Sequence, residues 1–465
     1  MRRFKMLACV LVLGSTASVA VRSQTGPAAN PAVIYEGARL IVGDAATPPI
    51  EDGAFVVQNG RITAVGRSGA ITAPAGAAHV DLTGKTVMPA LIDVHAHFGY
   101  EKYTKAGGDS RAEHYTPENL LDHFQRAAYY GVGTVHDGGT ASVPISLQFQ
   151  IDQKAGKYPP AAQYSFNAGI VPPEGGPDQI LITGTRPLQA NYEVTRAVEA
   201  RAAVQDIAGK NLRHLKIWIG DRGGEYPGMP HEVYDAVVDE AHRADIKVHA
   251  HAMTLRDQKD ILRAGADLLV HIVADQELDD ELLALVRENQ PYWVPSIGAG
   301  IPSLRREVCE NEPFTTQTLS ASILAETLAE ECRSRGNTAE RLERLRANFN
   351  AMIAAGARVV LGTDAGIRPS KTFGSADHHE LTTYVRLGMS PADAIETGTA
   401  RAAELLGLTD VGTLAEGKYA DVLVLDANPL DDILNTREIS AVYLRGAKLD
   451  RDALLAKWKG TNASQ

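Results

Sequence analysis

The sequence predicts an α/β fold: a (β/α)8 TIM barrel carrying a small β-sandwich built from the two ends of the chain. Three observations predict it. Between Ala90 and Asp364, eight short apolar runs with strand character mostly alternate with stretches of helical periodicity. Most of these runs stop at or near a polar residue, as strands do when they deliver side chains to the C-terminal mouth of a barrel. Outside this span the texture changes to brief alternating runs with turn signals such as Asn59-Gly60 and Arg445-Gly446, the mark of an antiparallel sheet.

The chain opens with Met-Arg-Arg-Phe-Lys, an apolar stretch from Met6 to Leu13, and small residues through Ala20. This order of basic start, short apolar region and small-residue cleavage site predicts a secretory signal peptide over 1–20, hence a periplasmic or secreted protein with no membrane span after cleavage. Residues 21–32 are small, polar and proline-containing, and are expected to form a linker. Strand patterns then follow at 33–35, 38–42, 54–58, 61–65 and 79–82, and return at 420–425 and 439–444. Segments 33–87 and 411–450 are therefore assigned to one composite β domain and 88–410 to the barrel.

The eight barrel strands are expected at 90–97, 134–137, 163–168, 214–219, 247–251, 268–271, 292–296 and 359–364, with helices between them such as 230–244 and 255–264. Residues 300–350 exceed what a simple connection needs and are expected to form a lid or flank. A doubly wound sheet is the alternative, but no Gly-x-Gly-x-x-Gly follows the first strand.

Charged residues at 22% and hydrophobic residues at 44% are ordinary for a soluble globular protein. The net charge of -11 comes without a basic cluster, which argues against nucleic acid as a partner. A homo-oligomer is compatible with the sequence. Beyond Cys9, the chain holds Cys309 and Cys332, a pair open to a disulfide in an oxidising compartment or to two free thiols.

The strand ends carry the chemistry. In VMPALIDVHAH, residues 87–97, His95 and His97 are two apart, so on a strand they point the same way and can share a metal ion. The other strand ends supply Lys216, His251, His271 and Asp364. Imidazoles with a carboxylate suit zinc and related divalent ions. Six such residues over five predicted strand ends point to a metal centre.

Together with DLLVH (267–271), LGTDAG (361–366) and GTLAEGKYAD (412–421), the 87–97 segment resembles the amidohydrolase superfamily. The resemblance runs from Val33 to Leu449 and is greatest to the imidazolonepropionase-like branch that includes Xaa-Pro dipeptidases and ochratoxin-type amidases. It implies that His95, His97 and Asp364 hold one divalent ion, that His251 and His271 hold a second, and that a carboxylated Lys216 bridges both. An amine desolvated in a barrel can lose its proton and react with carbon dioxide, which makes that role chemically reasonable. On strand five His249 and His251 face the same way; the family's spacing, and a position nearer the strand's C-terminal end, favour His251.

The implied reaction is hydrolysis of an amide or peptide C–N bond in a small-molecule or dipeptide-like substrate, of Xaa-Pro dipeptide or N-acyl amino acid type. Two zinc ions sharing a water lower its pKa and supply a bridging hydroxide, one ion polarises the carbonyl, and Asp364 carries the proton to the leaving nitrogen. Tyr226, His378 and His114 are expected near the substrate, with His379, Asn167 and Arg222 as further loop candidates and Asp137 behind the ligands. Alternatives are a mononuclear cyclic amidase or deaminase of imidazolonepropionase type, an esterase or lactonase, and a non-catalytic periplasmic binding protein. Lys216, and Ala252 to Thr254 where the mononuclear branch carries a Glu, argue against the first; the complete ligand set argues against the last. Ala90 departs from the Gly common in the family before Leu-Ile-Asp.

Overall fold

The computed structural model describes residues 31–102, 111–176, 188–221, 223–297, 313–319, 339–366 and 372–460. The expected signal peptide, all of the linker but its last two residues, Arg222, Cys309, Cys332 and much of 300–350 lie outside the described residues.

Five strands open the chain: β1 (Val33–Leu40), β2 (Ile50–Gln58), β3 (Arg61–Arg67), β4 (Ala78–Asp81) and β5 (Thr86–Pro89). Ten follow in the central region: β6 (Leu91–Ala96), β7 (Val132–Asp137), β8 (Gln163–Phe166), β9 (Ala168–Val171), β10 (Asn191–Glu193), β11 (His214–Trp218), β12 (Lys247–His251), β13 (Leu268–Val270), β14 (Tyr292–Val294) and β15 (Arg358–Val359). Last come β16 (Val422–Leu425), β17 (Ile439–Leu444) and β18 (Ala447–Lys448).

The outer strands form one sheet in the order β18-β17-β16-β5-β1-β2-β3, with β4 beside β1. β16 pairs antiparallel with β5, Val422 opposite Pro89, so the C-terminal segment is stitched directly to the N-terminal one. β1 is one strand where the sequence suggested two runs, because Gly37 at φ 86° takes up a register shift between Glu36 and Ala38. Tyr35, Leu40, Phe55, Ile62, Val87, Val422 and Val424 are buried together on this sheet.

The central strands pair in parallel, as β6-β7-β8 and β10-β9-β11-β12-β13-β14-β15. Helices alternate with them at Pro117–Tyr129, Val143–Lys154, Ala197–Gly209, His231–Arg243, Leu255–Ala264, Asp280–Asn289, Ala339–Ala354 and Ser375–Leu387. The Leu255–Ala264 helix shows why: Thr254 accepts from the Asp257 amide at its start, Gly265 at φ 94° ends it, and Ile261 and Leu262 bury its apolar face. The third expected strand is interrupted at Asn167, which separates β8 from β9. The last has regular pairing only at Arg358–Val359, yet 361–365 run beside β6: Val94 N donates to Leu361 O (2.9 Å), Asp364 N to His95 O (2.7 Å) and His97 N to Ala365 O (2.8 Å).

Outward-facing Ile92, Val94, Leu268, Val270, Val294 and Val360 pack under Ala402, Ala403 and Leu405. Ala90 fits because Gly133 lies opposite; a Cβ there would come within 2.8 Å of the Ala90 methyl. No helix among the described residues is long and apolar enough to cross a membrane.

Candidate metal centre

Strand β6 presents His95 and His97 at its C-terminal end, and Asp364 meets them from the neighbouring extended segment. Potential ligand atoms of these three buried residues lie within 4.8 Å of one another. His97 Nε2 is 3.0 Å and His95 Nε2 3.6 Å from Asp364 Oδ1. Lys216, fully buried on β11, reaches to 3.3 Å of His95 Nε2. On the far side His271 Nε2 lies 3.0 Å from His251 Nδ1, and the His95 and His271 rings are 6.4 Å apart. All six residues expected at the metal centre are thus brought to one end of the strands.

Backbone torsions aim two of them. His271 has φ 81° and Asp364 φ 58°, values that side-chain-bearing residues rarely adopt and that cluster at functional sites. Asp93 holds the second turn: Thr363 Oγ1 donates to Asp93 Oδ2 at 2.6 Å, and the Ala365 amide donates to Thr363 Oγ1 at 3.1 Å. Asp93 Oδ1 also accepts from the His95 amide at 2.9 Å, tying both ligand segments to one carboxylate. Space comes from glycine, since a Cβ on Gly138 would fall 2.3 Å from the His95 ring.

The electrostatics favour a cation here. Burial pulls the Lys216 amine down to about 7, against the opposing pull of Asp364 and Asp137. Burial, and next the Lys216 charge, push His95 well below its ordinary value, so its imidazole is neutral. Thr140 donates to Asp137 Oδ1 at 3.2 Å and therefore accepts from His97 Nδ1 at 3.0 Å. That leaves the His97 Nε2 lone pair facing the Asp364 carboxylate, two electron-rich atoms that a shared cation reconciles. The residues fit a metal. Replacing Thr140 by valine is expected to weaken divalent-ion affinity about 10- to 100-fold, measured by competition with a chelator, because it frees the His97 ring and tautomer; unchanged affinity would remove this role.

Strand five resolves its two histidines into different layers. His251 meets His271, whereas His249 lies beside Lys216 in register and contacts His214, with His214 Nδ1 to His249 Nε2 at 3.0 Å. Asn167 does not face the metal ligands as expected: its Nδ2 donates to His249 Nδ1 at 3.4 Å, because the break between β8 and β9 turns it into this lower layer. His136 on β7 completes the layer.

His378 requires a correction. It is fully buried, with Nδ1 2.9 Å from Thr436 Oγ1 and Nε2 2.8 Å from the Tyr130 carbonyl, so both ring nitrogens tie the Ser375–Leu387 helix to neighbouring chain and neither is available to substrate. His379 likewise bonds Thr315 at 2.8 Å, on the flank formed by the described part of 300–350. Tyr226 is half-buried in the loop after β11, its amide on the Asp221 carbonyl, and His114 is held by the Tyr100 carbonyl at 3.0 Å. The sequence reading missed Asp93, Thr140, Thr363, His136 and His214. The two histidines were within reach of a period-two reading of GTVHD and HLK; the turn-holding residues carry no local signal.

A family model described as "Amidohydrolase family" matches residues 86–449. Ochratoxinase of Aspergillus niger is 27% identical to this chain, over 92% of it and 88% of the relative. Imidazolonepropionase of Deinococcus deserti is 24% identical, over 84% and 90%. The solved structure of a Xaa-Pro dipeptidase with methionine bound in its active site superposes with a TM-score of 0.69 at 22% identity, covering 90% of this chain and 99% of that one.

Proposed function

Because the chain belongs to the amidohydrolase family, with its TIM-barrel-type fold, and is a hydrolase acting on carbon–nitrogen bonds, we propose that it cleaves the amide or peptide bond of a small substrate of Xaa-Pro dipeptide or N-acyl amino acid type. His95, His97 and Asp364 would hold one divalent ion, His251 and His271 a second, and Lys216, carboxylated on Nζ, would bridge them. Zinc suits this donor set. The observation that carries the reading is Lys216: a fully buried amine 3.3 Å from His95 Nε2 and lowered by burial to about 7 is poised to react as a neutral nucleophile with carbon dioxide.

When bound, the ions supply an activated water and polarise the scissile carbonyl. The chain's own residues do the rest. Asp364 accepts the proton released on attack and passes it to the departing nitrogen, so that the leaving group departs as a neutral amine. Asp93 and Thr363 fix the turn that aims Asp364, and Asp137 with Thr140 fixes His97. Backbone bonds between 361–365 and β6 support a closed eight-strand barrel, and the shared terminal sheet supports a composite domain packed as a sandwich. A periplasmic or secreted location is proposed from residues 1–20 alone.

A hydrolysis screen of Xaa-Pro and other dipeptides, N-acyl amino acids and lactones on zinc-loaded protein tests the assignment. Turnover of the amides with little of the lactones is expected; the reverse would make the enzyme a lactonase. The pH dependence is also set. Carboxylation needs the neutral amine, so with the Lys216 amine at about 7, uptake of the second ion in bicarbonate buffer should rise as pH increases through 7 and fall below it. Flat uptake from pH 6 to 8 would argue against a bridging carbamate.

A further inference from the structure

Beside the proposed metal pair stands a side chain that the hydrolytic reading leaves idle. His214, Lys216 and Trp218 alternate along β11, so Trp218 shares the inward face of Lys216. It is the last of the three and pairs in register with His251, which places it at the level of the proposed ligands, at the end of the strands that opens to substrate. Its indole ring covers Lys216, whose Nζ lies 5.0 Å from the ring centroid.

Two glycines seat that ring. A Cβ on Gly139 would come within 2.9 Å of Trp218 Cη2, and one on Gly169 within 3.0 Å of Cζ3. The benzo edge therefore fills a slot between β9 and the turn after β7, and the indole is held in one place. The polar edge has no such match. Of the chain's three tryptophans, Trp293 donates its Nε1 proton to the His271 carbonyl at 2.9 Å and Trp458 donates to Asp122 Oδ1 at 2.8 Å, as buried indoles ordinarily do. Trp218 is 5% exposed, and its Nε1 finds no acceptor among the described residues. Nor is that nitrogen one of the polar atoms closed off from solvent without a partner, so it keeps an opening at the mouth. A fixed donor, dry on most sides and unused by the protein, is suited to an acceptor that arrives with substrate.

We propose that Trp218 recognises the substrate by donating its indole N–H to the carboxylate next to the scissile bond. This rests on the proposed function and narrows it. Xaa-Pro dipeptides and N-acyl amino acids share an acceptor apart from the bond to be cut: the carboxylate on the carbon that bears the scissile nitrogen. A charged acceptor gains more from a positioned, desolvated donor than a neutral amide does. The enzyme should therefore prefer free acids to their amides, and Trp218 should carry that preference.

Trp218→Phe tests this, because it keeps an aromatic ring and removes the donor. On zinc-loaded protein the variant should cleave N-acetylproline with kcat/KM about 10- to 100-fold lower than wild type, the loss falling mainly in KM. The weaker cleavage of N-acetylprolinamide and the metal content should stay the same. An equal effect on acid and amide, including none on either, overturns the role. So does departure of an ion, which would make Trp218 a support for Lys216. Hydrolysis by the wild type would in those cases leave the proposed function standing. If the wild type cleaves neither compound, calorimetry decides: N-acetylproline bound at least about tenfold more tightly by wild type than by Trp218→Phe supports the donor and sinks the hydrolytic reading, and equal binding overturns both. If the variant fails to fold, the nitrogen–proton spectrum of the wild-type indoles takes its place. One of the three signals should move downfield with N-acetylproline but not with the amide; three unmoved signals overturn the donor.

Discussion

Asp364→Asn should lower kcat about 1000-fold while leaving a folded protein. The size follows from the loss of a proton carrier, which typically supplies 100- to 10,000-fold. Asparagine is the informative replacement because it keeps the shape of the side chain and tolerates the left-handed backbone at φ 58° better than other residues. An alanine would confound chemistry with backbone strain. The matching readout is a pH–rate profile: the wild type should lose activity as a carboxylate is protonated, and the variant should lack that acidic limb. A fall in kcat of less than about tenfold would remove Asp364 from proton transfer and leave it at most a ligand.

Lys216→Ala should release one of the two proposed ions and reduce kcat/KM at least about 100-fold, equivalent to about 3 kcal/mol of lost charge stabilisation. Unchanged stoichiometry would refute the bridging role. The side chain is wholly buried beside His95, and Gly139 makes room for its stem, since a Cβ there would come within 2.4 Å of Lys216 Cβ. Truncation opens a cavity as well as removing a ligand, so thermal unfolding should be recorded beside metal content. If stability falls while both ions stay, Lys216 is a core residue rather than a bridge.

The proposed ligand residues were legible in the sequence because strand periodicity and strand ends locate most of them: His95 with His97, His251 and His271 close strand runs, whereas Lys216 lies within one. What could not be read there is how Asp364 and His271 are aimed. Both have positive φ, a property decided by bonds from distant chain such as Thr363 to Asp93, 270 residues apart in sequence. His378 failed for the opposite reason. Its place at the head of a helix after the last strand suggests proximity to substrate, but Thr436 and Tyr130 claim both nitrogens. The interruption at Asn167 was likewise invisible, since nothing in QYSFNAGIV marks a break in pairing.

The pairing of β5 with β16 bears on how the protein is made. Val87 and Met88 lie opposite Val424 and Leu423, and only one residue, Ala90, separates β5 from the strand that carries His95 and His97. During synthesis the edge of β5 waits for partners made more than 300 residues later. Contacts so remote in sequence form late, because the loop they close must be ordered first. The strand that bears the histidine pair is thus among the first barrel strands translated, yet its anchor is completed only when the chain is nearly finished. Competence to hold metal is in this sense a property of the whole chain, and a truncated product cannot present the finished site.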